Sequence, residues 1–340
     1  MLTVLVTGVG GGVGQGIIKS LKSITDLDIR IVTSDISAYS AGLYVSDYAK
    51  ILPPETSPNH LEKLIELLNN ENVSYYFPGT DIELYFCARN KSKIESMSSA
   101  KVIISPERAI EISSDKYKTF EFLKKNNFSH PATYRPEDID YKEINYPIIV
   151  KPAIGCRSKG VSISKNEKEL RDRIENEDGL IIQELIGEGS DEYTCTIIIV
   201  GNHVSDVLVF KRELRDGDTY KATPIKNKKI CEYITEVALK LNVHGCCNFQ
   251  LRIDSSGIPK IFEINCRHSG TTPFWTALGF NPVEYYLKKI NDIEYKPEVN
   301  YDFVIMRYWS ELLVPKKQIE KLSRSHHIKL NNPHHKVISI

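Results

Sequence analysis

The opening of the chain constrains its fold more than any other stretch. An apolar, β-branched run at 2–7 (LTVLVT) breaks into glycines, a helical pattern follows from Val13 to Leu21, and a second apolar run, IRIVTSD, occupies 29–35. Strand, glycine turn, helix and strand in that order predict the start of a doubly wound parallel sheet. HLEKLIELLNN at 60–70 reads as an amphipathic helix, VSYYFPGT at 73–80 as a strand ending at a Pro-Gly turn, and KVIISP at 101–106 as the last strand of this first unit. A domain boundary is expected near 106–115.

Beyond it the pattern changes. SDKYKTFEFLKKNN (114–127) predicts a helix capped by Ser114 or Asp115. Strands are expected at 146–153, at the start of 160–176 before a helix, and at 180–186. Two strands around a Gly-Asn turn are expected in 192–213, a helix at 231–242, and a hairpin at 246–267. The tail, 291–340, holds no clear motif. With 340 residues the chain is long enough for two or three domains. Lys plus Arg and Asp plus Glu both number 44, and this balance argues against a nucleic-acid partner, which usually draws a basic excess. The seven cysteines are odd in number, irregularly spaced and without a CxxC pair, so free thiols in a reducing compartment are expected rather than disulfides or zinc. The apolar N-terminus lacks the basic flank of a signal peptide, and no apolar run approaches the ~20 residues of a membrane span. A cytoplasmic location without membrane contact is the expectation.

The glycine segment Thr7-Gly-Val-Gly-Gly-Gly-Val-Gly14 supports two readings. Such a turn brings backbone N–H groups to a phosphate at a helix N-terminus, and Asp35 ends the second strand where a ribose-binding acid would sit. Val13 breaks the strict GxGxxG pattern, but the looser TGxxxGxG pattern of short-chain dehydrogenases matches. The Tyr-x-x-x-Lys spacing those enzymes carry occurs at Tyr285 and Lys289, too far downstream. The other reading is a tight structural turn.

The C-terminal hairpin carries more chemistry. Asn248, Gln250, Arg252 and Asp254 alternate with apolar residues on one strand, and Glu263 and Asn265 alternate with Phe262 and Ile264 on the other. Cross-strand partners on one face come within ~5 Å, so Gln250 opposite Glu263 would gather three oxygen-bearing side chains with Asn265. An odd plain loop would place Gln250 opposite Phe262 instead. The expectation is therefore an even register or a bulge. Three such oxygens suit Mg²⁺ or Mn²⁺. The alternative is a hairpin with its polar face in water. Arg267, two residues after Asn265, is placed to neutralise a transferring phosphoryl group.

NFQ followed by EINCR resembles the metal hairpin of the ATP-grasp superfamily, and most the carbamoyl-phosphate-synthase-like branch, with a single ATP-grasp copy. The motif order extends the resemblance over roughly residues 1–290. It implies an α/β chain in which a Rossmann-like pre-ATP-grasp domain (1–110) precedes a two-lobed α+β ATP-grasp domain, with a small lobe or lid at 111–185, a large lobe at 186–295, and a C-terminal extension at 296–340. By the same resemblance Lys116 and Lys151 bind phosphates, although either lysine taken singly is more often solvent-exposed. The loop 155–160, with Ser158, Lys159 and Gly160, covers the nucleotide, and its charge comes from Arg157 or Lys159. Gln183, Glu184, Leu185 and Ile186 form the adenine hinge, and Glu192, or Asp191 beside it, holds the ribose.

Gln250, Glu263 and Asn265 then hold the metal. Arg212 holds a carboxylate or the γ-phosphate, and Arg267 stabilises the transferring group. Asp81 and Glu83 in PGTDIE bind an amine or cap a helix, and His268-Ser-Gly-Thr-Thr272 forms a carboxylate nest. The implied activity is ATP-dependent joining of a small carboxylate to an amine through an acyl phosphate, with a homodimer compatible. Phosphorylation of carbamate or bicarbonate, a nicotinamide dehydrogenase, and a non-catalytic nucleotide-binding protein are the rivals.

Overall fold

The computed structural model describes residues 1–155, 158–187, 191–308, 310–330 and 337–338. Strands β1 (Leu2–Thr7), β2 (Ile29–Asp35), β3 (Tyr48–Ile51), β4 (Tyr75–Phe77) and β5 (Lys101–Val102) run parallel in the order β3-β2-β1-β4-β5. Helices α1 (Gly12–Lys22), α2 (His60–Asn70) and α3 (Asp81–Met97) return the chain between strands. The order reverses between β1 and β4, and sheets of this kind open a crevice at that point. β4 is shorter than the run 73–80 because Pro78 offers no N–H to a ladder.

Helices α4 (Glu107–Ser113) and α5 (Lys116–Lys125) lead out of this unit. Asp115, not Ser114, caps α5: its Oδ1 accepts from the amides of Tyr117 and Lys118 at 2.8 and 3.1 Å. The sequence patterns gave no sign of α4, and the expected boundary at 110/111 divides it.

A four-stranded antiparallel sheet follows, with β6 (Thr133–Tyr134), β7 (Ile148–Pro152), β8 (Ser162–Ser164) and β9 (Leu180–Glu184) in the order β6-β9-β7-β8. Its core of Ile148, Val150, Leu180 and Ile182 includes Leu170 of α6 (Glu167–Ile174) and is separate from the rest of the interior.

The third sheet contains β10 (Glu192–Val200), β11 (His203–Val204), β12 (Leu208–Arg215), β13 (Asp218–Ile225), β14 (Gly245–Ile253), β15 (Pro259–Asn265) and β16 (Ile305–Met306). Its path is β15-β14-β10-β12-β13-β16, with β11 beside β10. Where two strands were expected in 192–213 there are three. The Ser205 hydroxyl accepts the Ile198 amide at 2.9 Å, which ends the short β11 before β12 begins. β13 was not anticipated.

Helices α7 (Lys228–Lys240), α8 (Thr272–Ala277) and α9 (Pro282–Ile290) pack with this sheet. α1 seats directly on α8: a Cβ on Gly16 would lie 3.0 Å from Pro273 Cδ. Ser20 and Thr276 hydroxyls meet at 2.8 Å. One core cluster therefore joins Val4 and Ile17 of the first unit to Phe210 and Trp275 of the third, whose rings stack at 3.9 Å.

The tail is ordered into β17 (Glu311–Leu312), α10 (Lys316–Ser325), β18 (His327–Lys329) and β19 (Val337–Ile338). β16 edges the third sheet, and β18 pairs antiparallel with β3 of the first. Strands of two or three residues carry no readable periodicity, so only long-range pairing reveals them. Among the described residues no helix is long and apolar enough to cross a membrane.

Candidate active site

The hairpin β14–β15 sets the site. Its turn is closed by Asp254, whose Oδ1 accepts the Ser256 and Ile258 amides at 2.9 Å, with Gly257 at a φ of +73°. From the turn the strands pair in the odd plain register, Ile253 to Pro259, Arg252 to Lys260, Leu251 to Ile261. Continued unchanged, that register would put Gln250 opposite Phe262. A bulge between Gln250 and Leu251 shifts it, and Gln250 lies opposite Glu263 and Asn248 opposite Asn265. The expected bulge is present. It also breaks the alternation of sides. Phe262 and Glu263 are consecutive, yet both line one cleft, while Ile261 and Ile264 on either side are buried in the core.

That cleft, of ≈ 320 Å³, lies between the small sheet and the third sheet. Lys151 on β7 enters it and is 6 % exposed. Its ammonium donates to Gln183 Oε1 at 2.7 Å and stands 5.1 Å from the centre of the Phe262 ring. Gln183 Nε2 in turn donates to Thr133 Oγ1 at 2.9 Å. Burial lowers the Lys151 pKa to about 7; Glu263 and Glu192 oppose the shift, and Lys116 and Arg252 add to it. Lys116 reaches across from α5 and donates to the Gly155 carbonyl at 2.9 Å. Ser158, Lys159, Leu185 and Ile186 also line the cleft, and Gly160 turns the loop at a φ of +74°. Arg157 and residues 188–190 lie outside the described residues.

Arg212 on β12 is the hub of the far wall and is 8 % exposed. It donates to Glu192 Oε1 from Nε at 3.0 Å and from Nη2 at 2.5 Å, to Gln250 Oε1 at 2.7 Å, and to Thr219 at 3.2 Å. Arg252 donates to the other oxygen of Glu192 at 3.1 Å and to the Ile186 carbonyl at 3.2 Å. Glu192 is thus clamped by two guanidinium groups, while Asp191 pairs outward with Lys211 at 2.5 Å. Glu184 turns its carboxylate to Lys260 at 3.3 Å and to the Ala132 amide at 2.9 Å. Arg252, Lys260, Phe262 and Thr133 were not singled out from the sequence. Only Arg252 left a signal there, by sharing the Gln250 face in the alternation.

The metal-type set is tied together on its other side. Asn265 Nδ2 donates to Glu263 Oε1 at 3.2 Å, and Asn265 Oδ1 accepts from Arg267 Nη2 at 3.2 Å. Both amide oxygens therefore already face a cationic group, Arg212 for Gln250 and Arg267 for Asn265. One carboxylate and two amide oxygens on adjacent strands are hard donors that fit Mg²⁺ or Mn²⁺. Among the described residues no three His, Cys, Asp or Glu side chains gather as a metal cluster, so Glu263 would be the one charged protein ligand of a cation held here.

Three expectations are corrected. Ser269, Thr271 and Thr272 do not present a nest. Ser269 and Thr271 hydroxyls bond each other at 2.6 Å, Thr272 Oγ1 takes the Ser269 amide at 3.2 Å, and Arg307 takes the Gly270 carbonyl. Asp81 does not cap α3; Thr80 does, accepting the Glu83 amide at 3.2 Å. Asp35 is folded back on the glycine loop, accepting the Gly10 amide at 2.7 Å and the Ser37 amide at 3.2 Å, while Tyr285 is buried in the core with its ring stacked on Phe280. Tyr285 therefore lacks the disposition a dehydrogenase tyrosine needs, whereas Asp35 stays beside the glycine loop. The glycine loop instead lines a second cavity of ≈ 300 Å³ at the switch point, with His60 and Glu83. Burial raises Glu83 to about 6 against the Thr7 and Thr80 hydroxyls.

Comparison with known proteins agrees with this geometry. Residues 113–271 match the ATP-grasp domain family, and residues 4–103 match the PylC-like N-terminal domain family. The carbamoyl phosphate synthase large chain of Campylobacter jejuni is 25% identical over 305 residues, covering 78% of this chain but 26% of that protein. The chain thus spans about a quarter of that relative's length. Among solved structures, an N5-carboxyaminoimidazole ribonucleotide synthetase in complex with ADP superposes with a TM-score of 0.73 at 14% identity, covering 96% of this chain and 85% of that one. An L-amino acid ligase from Bacillus licheniformis gives 0.66 at 15% identity, covering 89% and 76%. The chain therefore carries one ATP-grasp domain set behind a PylC-like N-terminal domain.

Proposed function

We propose that this protein is an ATP-dependent carboxylate ligase that joins a small carboxylate to an amine through an acyl phosphate. The observation that carries the reading is the bulged hairpin, which turns Gln250 and Glu263 toward Lys151 and Arg212 in one cleft. The ATP-grasp match and the likeness to an L-amino acid ligase support it.

In this reading the adenine lies along Gln183–Ile186 and the ribose meets Glu192, whose carboxylate keeps acceptor capacity beyond its two arginines. Lys116, Lys151 and the loop through Ser158, Lys159 and Gly160 hold phosphate oxygens. Gln250, Glu263 and Asn265 hold the cation. A bound Mg²⁺ supplies charge neutralisation for phosphoryl transfer. Arg267 and Arg212 place fixed positive charge beside the same oxygens, where preorganised charge lowers the barrier most. No residue of the chain has to act as a covalent nucleophile.

The carbamoyl phosphate synthase likeness supports a second reading, in which carbamate or bicarbonate is the group phosphorylated. Purified protein incubated with Mg-ATP and a panel of carboxylates and amines, with bicarbonate as one arm, separates the two by ADP release. Carboxylate- and amine-dependent ADP is the expected result. ADP released with bicarbonate alone transfers the assignment to the second reading, and nucleotide binding without ADP from any mixture makes the protein a non-catalytic binder.

Lys151 gives a separate test. Its ammonium is only half-populated near pH 7 in the free protein, because burial lowers its pKa to about 7. Phosphate oxygens favour the charged form, so nucleotide binding raises that pKa and takes up about half a proton at neutral pH. Calorimetry in buffers of different ionisation enthalpy reads this uptake directly. It is expected to shrink below pH 6, where the lysine is already charged, and to vanish in Lys151→Met. Equal heats in all buffers at pH 7 would show an ammonium already charged before binding, and unchanged nucleotide affinity in Lys151→Met would refute the role.

A further inference from the structure

We propose that Asp81 is a positioning residue for the phosphoryl-transfer site, holding Arg267 and, through it, the Asn265–Glu263 pair. The inference rests on the ATP reading above and adds a residue from the N-terminal unit to it.

The contacts form one continuous chain. Asp81 Oδ1 accepts from Arg267 Nε at 2.5 Å, and Asp81 Oδ2 accepts from Nη2 at 2.9 Å. Nη2 also donates to Asn265 Oδ1, and Asn265 Nδ2 donates to Glu263 Oε1, each at 3.2 Å. Nη1 donates to the His268 carbonyl at 3.1 Å. A two-point carboxylate fork fixes the plane of a guanidinium as well as its distance. Here that plane decides which way the Asn265 amide is turned, and so where its one oxygen stands.

Three further observations separate positioning from a surface ion pair or a helix cap. Arg267 is 14% exposed and Asp81 44%, so the aspartate meets water while the guanidinium it holds is largely withdrawn from it and depends on its acceptors. The cap of α3 is already supplied by Thr80, and both Asp81 oxygens are spent on Arg267 instead. His268, next in the chain, is buried and held neutral, its pKa lowered to about 3 by burial with Arg267 adding to the effect, so it offers no competing cation to Asp81. Asp81 itself is held below the usual carboxylate range: burial pushes it up, and Arg267 more than reverses this. The fork is therefore charged on both sides throughout the neutral range.

The placement of α3 gives the pairing its reach. Thr80, Ile82 and Glu83 line the second cavity, at the switch point of the first sheet, while Asp81 between them turns to the hairpin. The N-terminal unit thus reaches, through one side chain, the Arg267–Asn265 pair that stands behind Glu263 of the cleft wall.

The test uses the full chain and two probes, ADP without metal and Mn²⁺ in the presence of ADP, the metal read by electron paramagnetic resonance. Outer partners of metal ligands typically change metal affinity by about 10- to 100-fold. In Asp81→Asn, Mn²⁺ retention is expected to fall by at least about tenfold while metal-free ADP affinity stays within about twofold. In the cycle with Arg267→Lys, the double variant should be no weaker for Mn²⁺ than Arg267→Lys alone, since the hydrogen bonds of Asp81 that lead to the metal set run through that arginine. Unchanged Mn²⁺ retention in Asp81→Asn, a parallel loss of both probes with a lowered melting temperature, or additive losses in the cycle each overturn the proposal. Wild-type protein that binds neither probe overturns the ATP reading and this inference together, whereas wild-type binding with an unaffected Asp81→Asn overturns this inference alone.

Discussion

Glu263→Ala is expected to lower metal-dependent ADP release by about 10³-fold, with metal-free ADP affinity little changed. Glu263 is the only carboxylate in the candidate metal set; Gln250 and Asn265 contribute neutral amide oxygens. Without it the set carries no formal charge, and the two guanidinium groups facing those amides oppose any cation that approaches. Most of the loss should appear in turnover and in metal dependence, because Lys116 and the hinge are untouched and Lys151 keeps its hydrogen bond to Gln183, losing only the Coulombic support of Glu263. Steady-state ADP release against Mg²⁺ concentration checks this. Turnover within tenfold of wild type at saturating Mg²⁺ would remove Glu263 from the metal site.

Arg212→Met is expected to destabilise the protein by about 3 kcal/mol, the lower end for breaking a buried ion pair. Arg212 is 8% exposed and Glu192 13%, so removing the guanidinium strands a carboxylate that water barely reaches. Arg252 still pairs with the other oxygen of Glu192, which is why the cost falls at the low end. The Gln250 oxygen and the Thr219 hydroxyl lose their donor as well. Urea unfolding followed by circular dichroism measures the change. Glu192→Gln together with Arg212→Met should recover part of it, since the stranded charge is then gone. A single variant as stable as wild type would show that water reaches this network in solution.

How much of this was legible beforehand differs from residue to residue. β1 and β2 could be read because they are long, apolar and separated by an amphipathic helix, so each local signal agrees with the global fold, whereas the short β3 left no readable signal. The hairpin alternation pointed to Gln250, Glu263 and Asn265, and parity of the turn showed that a bulge or an even loop was needed to bring them together. What parity could not show was the second effect of the bulge, which sets Phe262 beside Glu263 on one wall and beneath Lys151. The clamp on Glu192 by Arg212 and Arg252 was likewise hidden, since it joins β10, β12 and β14 by pairings of neighbouring strands. In PGTDIE the sequence offers Asp81 and Glu83 for amine binding or helix capping. Asp81 does not cap α3 but pairs with Arg267, a partner 186 residues away that no local spacing announces.

Sequence alone determined the periodicities, the glycine turn, the charge balance and the set of oxygen-bearing side chains on the hairpin, since each depends on neighbours a few residues apart. Tertiary structure decided which cations face those oxygens, how deeply Lys151 is buried, and that an aspartate from the first sheet's unit reaches the hairpin of the third. Those outcomes depend on desolvation and on distances between segments far apart in the chain, and both come into being only when the sheets pack.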